Sequence, residues 1–390
     1  MTASSFYDLK TPTVWTQPPP TFSFSSLQAL RSCPRRWQLV HSSWGSLSKF
    51  PERPQPAAIE GQIVHAALDL LARELGRRGR PPIGSPAFGA ILERCAFWQF
   101  FAAQVDEWNR RLADHPRAGP RYVLRTPPRD LANQAVRLFR ERYQPGVEQP
   151  FDTRDVESRA GPVGSASPLA LLHAVGTISE LRLEHPSLPV VGVLDLVTLE
   201  RNRSAVVVDF KTGACKPAHE EQVRLYGLLW WRATGTRPGK AVVQYLDSAR
   251  TLELTEAELL ATEKSISKEI KKTKAALQAR PASGSPGQEC TWCPVRPRCE
   301  EGWAWGERAP RAAPNGRSID IEVTIASDPT PTGFLGARSK GDDVSIVFDA
   351  AVGRALPSLS AGDRFRIVDA APRSAGKEIA VLPWTEMYRV

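Results

Sequence analysis

The stretch VVGVLDLVTLERNRSAVVVDFKTG, residues 190–213, contains two short apolar runs, Val190–Val197 and Ala205–Phe210. Both runs are rich in β-branched residues, and the polar residues 200–203 separate them. Short β-branched runs on either side of a polar turn indicate neighbouring strands. The stretch therefore predicts a β-hairpin at the centre of an α/β fold.

Each predicted strand carries a carboxylate that its apolar surroundings do not explain. Asp195 lies in the first strand and Asp209 in the second, with Lys211 two residues later. Residues i and i+2 of a strand point to the same face, so Asp209 and Lys211 should project together. Buried charges are unfavourable unless they are paired or bound to a metal. An isolated D-x-K is explained by a salt bridge on an edge strand, so its interpretation depends on other residues.

Two predicted helices supply further polar groups. A helix over His219–Ala233 carries Gln222 and Tyr226 four residues apart, and hence on one face. An amphipathic helix over Ile59–Arg78 carries His65. A single histidine on a helix commonly has a structural role, so spacing alone does not make it a ligand.

In combination these segments resemble the PD-(D/E)XK nuclease superfamily and, within it, the RecB-type and AddB-type nuclease domains. The matching segments are GQIVH at 61–65, GVLD at 192–195, DFKTG at 209–213 and QVRLY at 222–226. Leu194 stands where the family pattern has proline, but proline is not a ligand, so the chemistry is unaffected. The resemblance spans about residues 22–303. It implies a restriction-endonuclease-like core with a mixed sheet flanked by helices.

The resemblance also implies a set of active-site residues. A nuclease of this kind would hold Mg²⁺ or Mn²⁺ near its acidic groups. The implied metal ligands are His65, Asp195, Asp209 and the backbone carbonyl of Phe210. The implied catalytic residues are Asp195, Asp209, Lys211, Gln222 and Tyr226. Glu180, on a predicted strand over Thr177–Leu183, is either an auxiliary ligand or a surface glutamate.

A cysteine array indicates a second centre. Cys290, Cys293 and Cys299 form a C-x2-C-x5-C pattern, which needs a fourth ligand for a tetrahedral zinc or a [4Fe–4S] cluster. The family resemblance supplies Cys33 as that ligand; the alternative is that Cys33 is a small buried apolar residue. We expect a [4Fe–4S] cluster that acts as a structural staple, with Zn²⁺ as the alternative.

Composition favours a polyanionic partner. The 390-residue chain has a formal net charge of +9 and a pI near 9.4, which suits nucleic acid. It has no apolar run of about 18 residues and no signal-peptide pattern, so we expect a cytoplasmic protein without a membrane partner. Six cysteines in such a protein argue against a disulfide framework.

The pattern along the chain predicts four parts: an arm at 1–21, flexible or extended, a nuclease domain at 22–303, a linker at 304–316 and a β-barrel at 317–390. The short alternating runs of the last part suit an OB-type barrel, and an SH3-like barrel fits nearly as well. An OB-type barrel would bind single-stranded nucleic acid, whereas the alternative is a protein-docking surface. The candidate nucleic-acid contacts are Phe334, Arg338, Lys340 and Arg364.

Two functions fit these features. The first is a metal-dependent DNA phosphodiesterase, an exonuclease or endonuclease; we expect an exonuclease that prefers single strands and acts in repair, recombination or defence. The second is a non-catalytic DNA-binding or helicase-docking scaffold on a nuclease-like fold. The sequence contains no G-x-x-x-x-G-K-[ST] phosphate loop. Unwinding would therefore require a helicase partner.

Overall fold

The computed structural model describes residues 6–8, 10–45, 47–78, 80–115, 117, 122–143, 167–200, 202–308, 319–328, 334–348, 359–382 and 384–390. Within these ranges the strands form two separate sheets, one of five strands and one of seven. Residues 146–168 have little periodicity and several prolines and glycines, which predicts an irregular loop, and this segment falls almost wholly outside the described residues.

The helices of the described chain begin mostly at proline or next to a capping side chain. Proline suits the first helical turn because the N–H that it lacks has no partner there. The helices are α1 Phe24–Ser32, α2 Pro34–His41, α3 Pro56–Arg77, α4 Pro86–Arg94, α5 Phe97–Asp114, α6 Pro128–Arg140, α7 Pro168–Val175, α8 Pro217–Thr234, α9 Glu256–Ala276 and α10 Glu300–Arg308. None of these helices has the length and hydropathy of a membrane span.

The five-stranded sheet is mixed, as the sequence predicts. Its strands, in spatial order, are β2 Thr177–Glu184, β3 Val191–Leu199, β4 Ala205–Lys211, β5 Lys240–Tyr245 and β6 Ala249–Glu253. Strands β3 and β4 form the expected antiparallel hairpin. Strand β5 lies parallel to β4, and the crossover between them is α8. The catalytic candidates Asp195 and Asp209 thus lie on the two central neighbouring strands.

Helices cover both faces of this sheet. On one face α3, α5 and α6 bury an apolar cluster that includes Leu68, Phe101, Leu138 and Phe210. On the other face α1, α8 and α9 bury a second cluster, which includes Leu27, Leu229, Ile266 and Val243. The burial of apolar side chains on both faces fixes the sheet between two helical layers.

The aromatic pattern of residues 88–114 predicts one long helix, but the segment forms two helices. Helix α4 ends at Arg94 and α5 begins at Phe97. Between them Ala96 adopts a left-handed backbone conformation with φ +49°. A left-handed residue interrupts the regular i to i−4 hydrogen-bond pattern, so the prediction of a single helix was wrong.

The C-terminal sheet closes into the small β-barrel that the sequence predicts. Its strands are β7 Ile319–Ile325, β8 Phe334–Ser339, β9 Asp342–Phe348, β10 Arg364–Arg373, β11 Glu378–Val381 and β12 Glu386–Arg389. Strand β10 pairs with β7, β11 and β12, so β7-β8-β9-β11-β10 forms a closed ring. The alternating runs of the sequence predict strands at Ile319–Ile325, Val344–Phe348, Arg364–Val368 and Glu378–Leu382, and this pattern marks neither β8 nor β12.

The N-terminal segment joins this barrel sheet. Strand β1, Phe6–Tyr7, lies parallel to β12. Further along, Val14 makes an antiparallel bridge to Ser43. Residues 1–21 therefore include a strand of the C-terminal sheet, which a division of the chain at residue 21 does not capture.

Candidate functional site

The hairpin brings the two aspartates and the lysine of the D-x-K pattern together. Lys211 Nζ lies 2.7 Å from Asp209 Oδ2, as expected for residues i and i+2 of one strand. Asp195 Oδ2 accepts a hydrogen bond of 2.7 Å from the backbone N–H of Phe210. The carboxylate of Asp195 is therefore fixed against the strand that carries Asp209. Phe210 packs its ring into the core, and its carbonyl stays a predicted ligand.

Asp209 is buried and lacks hydrogen-bond donors among the described residues. Its side chain is 1% exposed, and neither oxygen accepts a hydrogen bond of normal geometry, although the Lys211 ammonium lies close to Oδ2. Burial and the charge of Asp195 raise its pKa to about 7, against the opposing effect of Lys211. Oδ1 has no comparable contact, and an unsatisfied oxygen on a buried carboxylate is unfavourable, so Asp209 can accept a second cation beside Lys211.

Glu180 lies directly across the sheet from Asp195. The pairs Ser179–Leu196 and Leu181–Leu194 bracket the two residues in the antiparallel register. Glu180 has a left-handed backbone with φ +48°, which is strained for a residue with a Cβ. Burial raises the pKa of Glu180, and the neighbouring charge of Asp195 adds to the effect. The sequence alone placed Glu180 on a strand but gave no sign of this conformation.

His65 reaches the same place from helix α3. Helix α3 comes close to the end of β4 at Gly61, where a Cβ would lie only 3.2 Å from Thr212 Oγ1. The absence of a side chain at Gly61 allows this approach. His65 Nδ1 lies 3.4 Å from Asp195 Oδ2. Burial opposes protonation of His65, but Asp195 outweighs it, so the pKa of the imidazole is raised. Ligand atoms of His65, Glu180 and Asp195 all lie within 4.8 Å of one another.

Gln222 and Tyr226 lie on α8 and form a pair. Gln222 Nε2 donates a hydrogen bond of 2.8 Å to the Tyr226 hydroxyl. Burial raises the pKa of Tyr226, and the charge of Asp209 raises it further. The influence of Asp209 places the hydroxyl in the electrostatic range of the acidic groups. The predicted helical pair therefore faces the site.

The residues present fit a divalent cation. Glu180, Asp195 and Asp209 supply hard oxygen atoms, which Mg²⁺ and Mn²⁺ prefer, and His65 supplies a nitrogen, which Mn²⁺ accepts more readily than Mg²⁺. The unpartnered oxygens of Asp209 are the observation that such an ion would explain. Of the two interpretations of Glu180 from the sequence, an auxiliary ligand or a surface glutamate, its place beside His65 and Asp195 favours the ligand.

The four predicted cluster cysteines line one pocket. Cys33, Cys290, Cys293 and Cys299 are thiols without a disulfide, and all four face the same pocket. Three backbone N–H groups point at sulfur: Arg36 N lies 3.4 Å from Cys33 Sγ, Gly287 N 3.5 Å from Cys290 Sγ and Gly302 N 3.4 Å from Cys299 Sγ. Amide groups aimed at thiols stabilise thiolates, the form that binds a metal.

The thiols are spread more widely than the acidic site. Ligand atoms of His65, Glu180 and Asp195 lie within 4.8 Å of one another. Among the described residues, no three of the cysteine sulfur atoms lie that close together. Four thiolates around one zinc would lie about 3.8 Å apart, given Zn–S bonds of about 2.3 Å. The described thiols are not drawn together as they would be around one bound zinc, and the metal that they would hold stays a prediction.

The candidate contacts on the barrel do not form a described site. Lys340 has a left-handed backbone with φ +52°, directly before Gly341 in the tight turn between β8 and β9. Arg364 forms an ion pair with Glu322. The side chains of Phe334 and Arg338 lie outside the described residues. Their role in nucleic-acid binding stays a prediction.

Comparison with known proteins identifies the family. The PD-(D/E)XK nuclease superfamily matches residues 21–300 of the 390. The chain therefore belongs to this superfamily, whose members are typically phosphodiesterase nucleases that use divalent metals. A search of curated proteins found no match.

Similarities to solved structures are weak. The chain is similar to SSO0001 at 13% identity, over 62% of this chain and 94% of that chain, with a TM-score of 0.23. It is similar to tetrameric p202 HIN2 at 13% identity, over 19% of this chain and 42% of that chain, with a TM-score of 0.17. This match spans less than half of that chain. It is similar to a murine DNA-binding protein bound to double-stranded DNA at 7% identity, over 55% of this chain and 94% of that chain, with a TM-score of 0.16. TM-scores this low carry no structural inference.

Proposed function

We propose that this protein is a Mg²⁺- or Mn²⁺-dependent DNA nuclease of the RecB/AddB type. The observation that carries the proposal is the convergence of His65, Glu180 and Asp195 on one point beside the buried pair Asp209–Lys211. Each of these residues comes from a different part of the chain. The site combines ligands for a hard cation with a cation from the protein itself.

The chain's own residues would divide the work of hydrolysis. His65, Glu180, Asp195 and Asp209 would hold the ion, which when bound polarises the scissile phosphate and lowers the pKa of a water. Lys211 would donate hydrogen bonds to the attacking water and to the phosphoryl oxygens as negative charge develops on them. Its contact with Asp209 fixes the direction of the ammonium before substrate arrives. The Gln222–Tyr226 pair would position the DNA backbone.

The alternative is a scaffold without catalysis, and the energetics of Asp209 argue against it. A buried carboxylate with unsatisfied oxygens lowers stability by about 1–3 kcal/mol. A protein that only bound DNA would gain nothing from retaining that group beside Asp195. A nuclease needs it, because a metal would give Oδ1 a partner in addition to the contact between Oδ2 and Lys211.

Preference for single strands, exonuclease activity and a role in repair, recombination or defence belong to the same proposal. The closed five-stranded ring β7-β8-β9-β11-β10 supports an OB-type assignment. OB barrels commonly bind single strands, so the assignment supports a preference for single-stranded DNA. The net charge of +9 suits such a partner. We further propose a cytoplasmic location and a helicase or another repair or defence protein as partner.

The test is a cleavage assay on end-labelled single- and double-stranded DNA with Mg²⁺ or Mn²⁺. Lys211→Ala should abolish cleavage while metal and DNA binding persist. Asp195→Ala and Asp209→Ala should abolish both cleavage and metal binding. Lys272→Ala on α9 and Asp247→Ala after β5 remove comparable charges from exposed positions and should cleave like the wild type. Undiminished cleavage by the Lys211 and Asp209 variants would rule out this site.

We also propose that Cys33, Cys290, Cys293 and Cys299 bind a [4Fe–4S] cluster as a structural staple. The pocket that the four thiols line and the amides aimed at three of them support a metal centre here, and the resemblance to iron–sulfur nucleases favours a cluster over zinc. Protein purified without oxygen should be brown and contain about four irons per chain. Colourless protein with one zinc would refute the cluster.

A further inference from the structure

We propose that His219 and Tyr245 form a positioning pair that holds Lys211 and helix α8 in their catalytic arrangement. The proposal rests on the nuclease function above, but it concerns two residues that no sequence motif marked. Neither residue is assigned to metal binding or to contact with the substrate. The pair would act through Lys211 and Gln222.

Tyr245 lies beside Lys211 in the sheet. The two residues are partners in the parallel register of β4 and β5. Paired residues on neighbouring strands point to the same face and lie about 5 Å apart. Tyr245 is only 5% exposed and packs into the apolar cluster beneath α8. Its ring is therefore held rigidly next to the stem of Lys211.

His219 fixes the hydroxyl of this tyrosine from the first turn of α8. His219 Nδ1 and Tyr245 Oη share a hydrogen bond of 2.9 Å, with ring centroids 5.8 Å apart. Gln222 follows His219 by three residues on the same helix. The hydrogen bond thus joins the end of β5 to the helix that presents Gln222 and Tyr226.

Burial, with the nearby charges, keeps both members of the pair neutral near pH 7. Burial lowers the pKa of His219, and the nearby Lys211 and Lys216 lower it further. Burial raises the pKa of Tyr245 to about 12, with further contributions from Cys215 and Asp209. A neutral pair supplies a directional hydrogen bond without competing for the Lys211–Asp209 contact.

This arrangement matters because lysine is a flexible residue. Its side chain carries about 2 kcal/mol of rotamer entropy, so an unsupported ammonium samples many positions. Misplacement of a catalytic group by about 1 Å can lower a rate by about a hundredfold. A rigid neighbour on one side and Asp209 on the other restrict Lys211 to one position.

The kinetic test compares Tyr245→Phe, His219→Ala and the double variant with a matched control. Tyr143→Phe is the control, since its hydroxyl also donates a half-buried hydrogen bond, to Pro81 O at 2.6 Å, on the far side of the sheet. Each variant of the pair should lower kcat about tenfold with KM nearly unchanged, and the double variant should be no slower than either. His219→Asn, which keeps a polar group near Nδ1, should recover part of kcat.

A second readout does not depend on activity. In the metal-free protein, an amine-reactive reagent should label Lys211 several-fold faster in Tyr245→Phe and His219→Ala than in the wild type. Labelling of the exposed Lys272 should stay constant and serves as the internal reference. Inactive wild-type protein would refute the proposed function, and the labelling would still decide whether the pair restrains Lys211. Wild-type labelling of Lys211 in both variants would overturn the pair, as would unchanged kcat in an active enzyme.

Discussion

Glu386 in the last barrel strand accepts a bidentate hydrogen bond from Arg117 of the nuclease domain. Arg117 Nε lies 3.1 Å from Oε1 and Nη2 lies 2.9 Å from Oε2. Arg53 makes a second bidentate contact at 3.2 and 3.1 Å, and the Tyr388 hydroxyl donates at 2.6 Å. Burial opposes ionisation of Glu386, but the two guanidinium groups outweigh it and hold its pKa well below its usual range. A buried ionic network therefore docks the barrel on the nuclease domain.

Replacing Glu386 by Gln should destabilise the protein strongly. The substitution removes the counter-charge of the buried Arg117, while Arg53 keeps an ion pair with Asp369 at 3.7 Å. Breaking a buried pair lowers the free energy of unfolding by about 3–5 kcal/mol. Chemical denaturation at neutral pH would measure the loss. The control is Glu107→Gln, which removes an exposed carboxylate that pairs with Arg110 and Arg111 and should leave the unfolding midpoint unchanged.

The same network sets a dependence on pH. The pKa of Glu386 is depressed in the folded state, so its stabilisation is complete above the unfolded value of about 4.5 and is lost as the pH falls below it. The wild type should therefore lose stability below about pH 4.5 more steeply than Glu386→Gln. Parallel pH profiles of the two proteins would contradict the assignment.

A second joint connects the barrel to the cysteine motif. Arg298 donates to Arg389 O at 2.5 Å and to Tyr7 O at 2.9 Å. Arg366 of β10 donates to Pro297 O at 3.0 Å and to Glu300 at 2.6 Å. The segment between Cys293 and Cys299 thus contacts the barrel sheet directly. A bound metal that held the four cysteines in place would therefore also hold the barrel against this segment.

Disruption of the cysteine centre should therefore loosen the barrel. Cys293→Ala, or removal of the metal by a chelator, should increase amide hydrogen exchange in β10 and β12, because Arg366 and Arg298 lose their fixed partners. Exchange in β4, at the centre of the other sheet, should change much less. Equal changes in both sheets would show that the centre stabilises the whole chain rather than this joint.

These contacts mark the limit of what the sequence predicts. The hairpin, the D-x-K pair and the helical Gln222–Tyr226 pair follow from local periodicity, since each depends on residues close in sequence. The Arg117–Glu386 contact joins residues 269 positions apart, and no local pattern encodes it. The left-handed backbone of Glu180 is likewise imposed by tertiary packing, because β-strand propensity favours an extended conformation at that position.

Metal affinity should fall as the pH is lowered. Asp209 has a pKa raised to about 7, and His65 has a raised pKa, so protons compete with the metal for both groups. Mn²⁺ affinity measured by calorimetry should weaken by about tenfold or more between pH 8 and pH 6. Glu107→Gln, which removes a carboxylate outside the site, should show the same dependence. If the affinity did not change between pH 8 and pH 6, neither group would be a ligand.

Gly192 should be essential for the placement of Tyr226. Gly192 precedes Asp195 by three residues on β3, and a Cβ there would lie 2.7 Å from Leu229 Cδ1 and 2.9 Å from Tyr226 Cε1. Gly192→Ala should push α8 away from the sheet, which lowers the free energy of unfolding by about 1–3 kcal/mol and also lowers kcat. Gly89→Ala on α4, where a Cβ meets nothing within 4 Å, should be neutral or slightly stabilising. Adding Leu229→Ala to Gly192→Ala removes the closest clash and should restore part of kcat; full activity of Gly192→Ala alone would show that Tyr226 does not need this position.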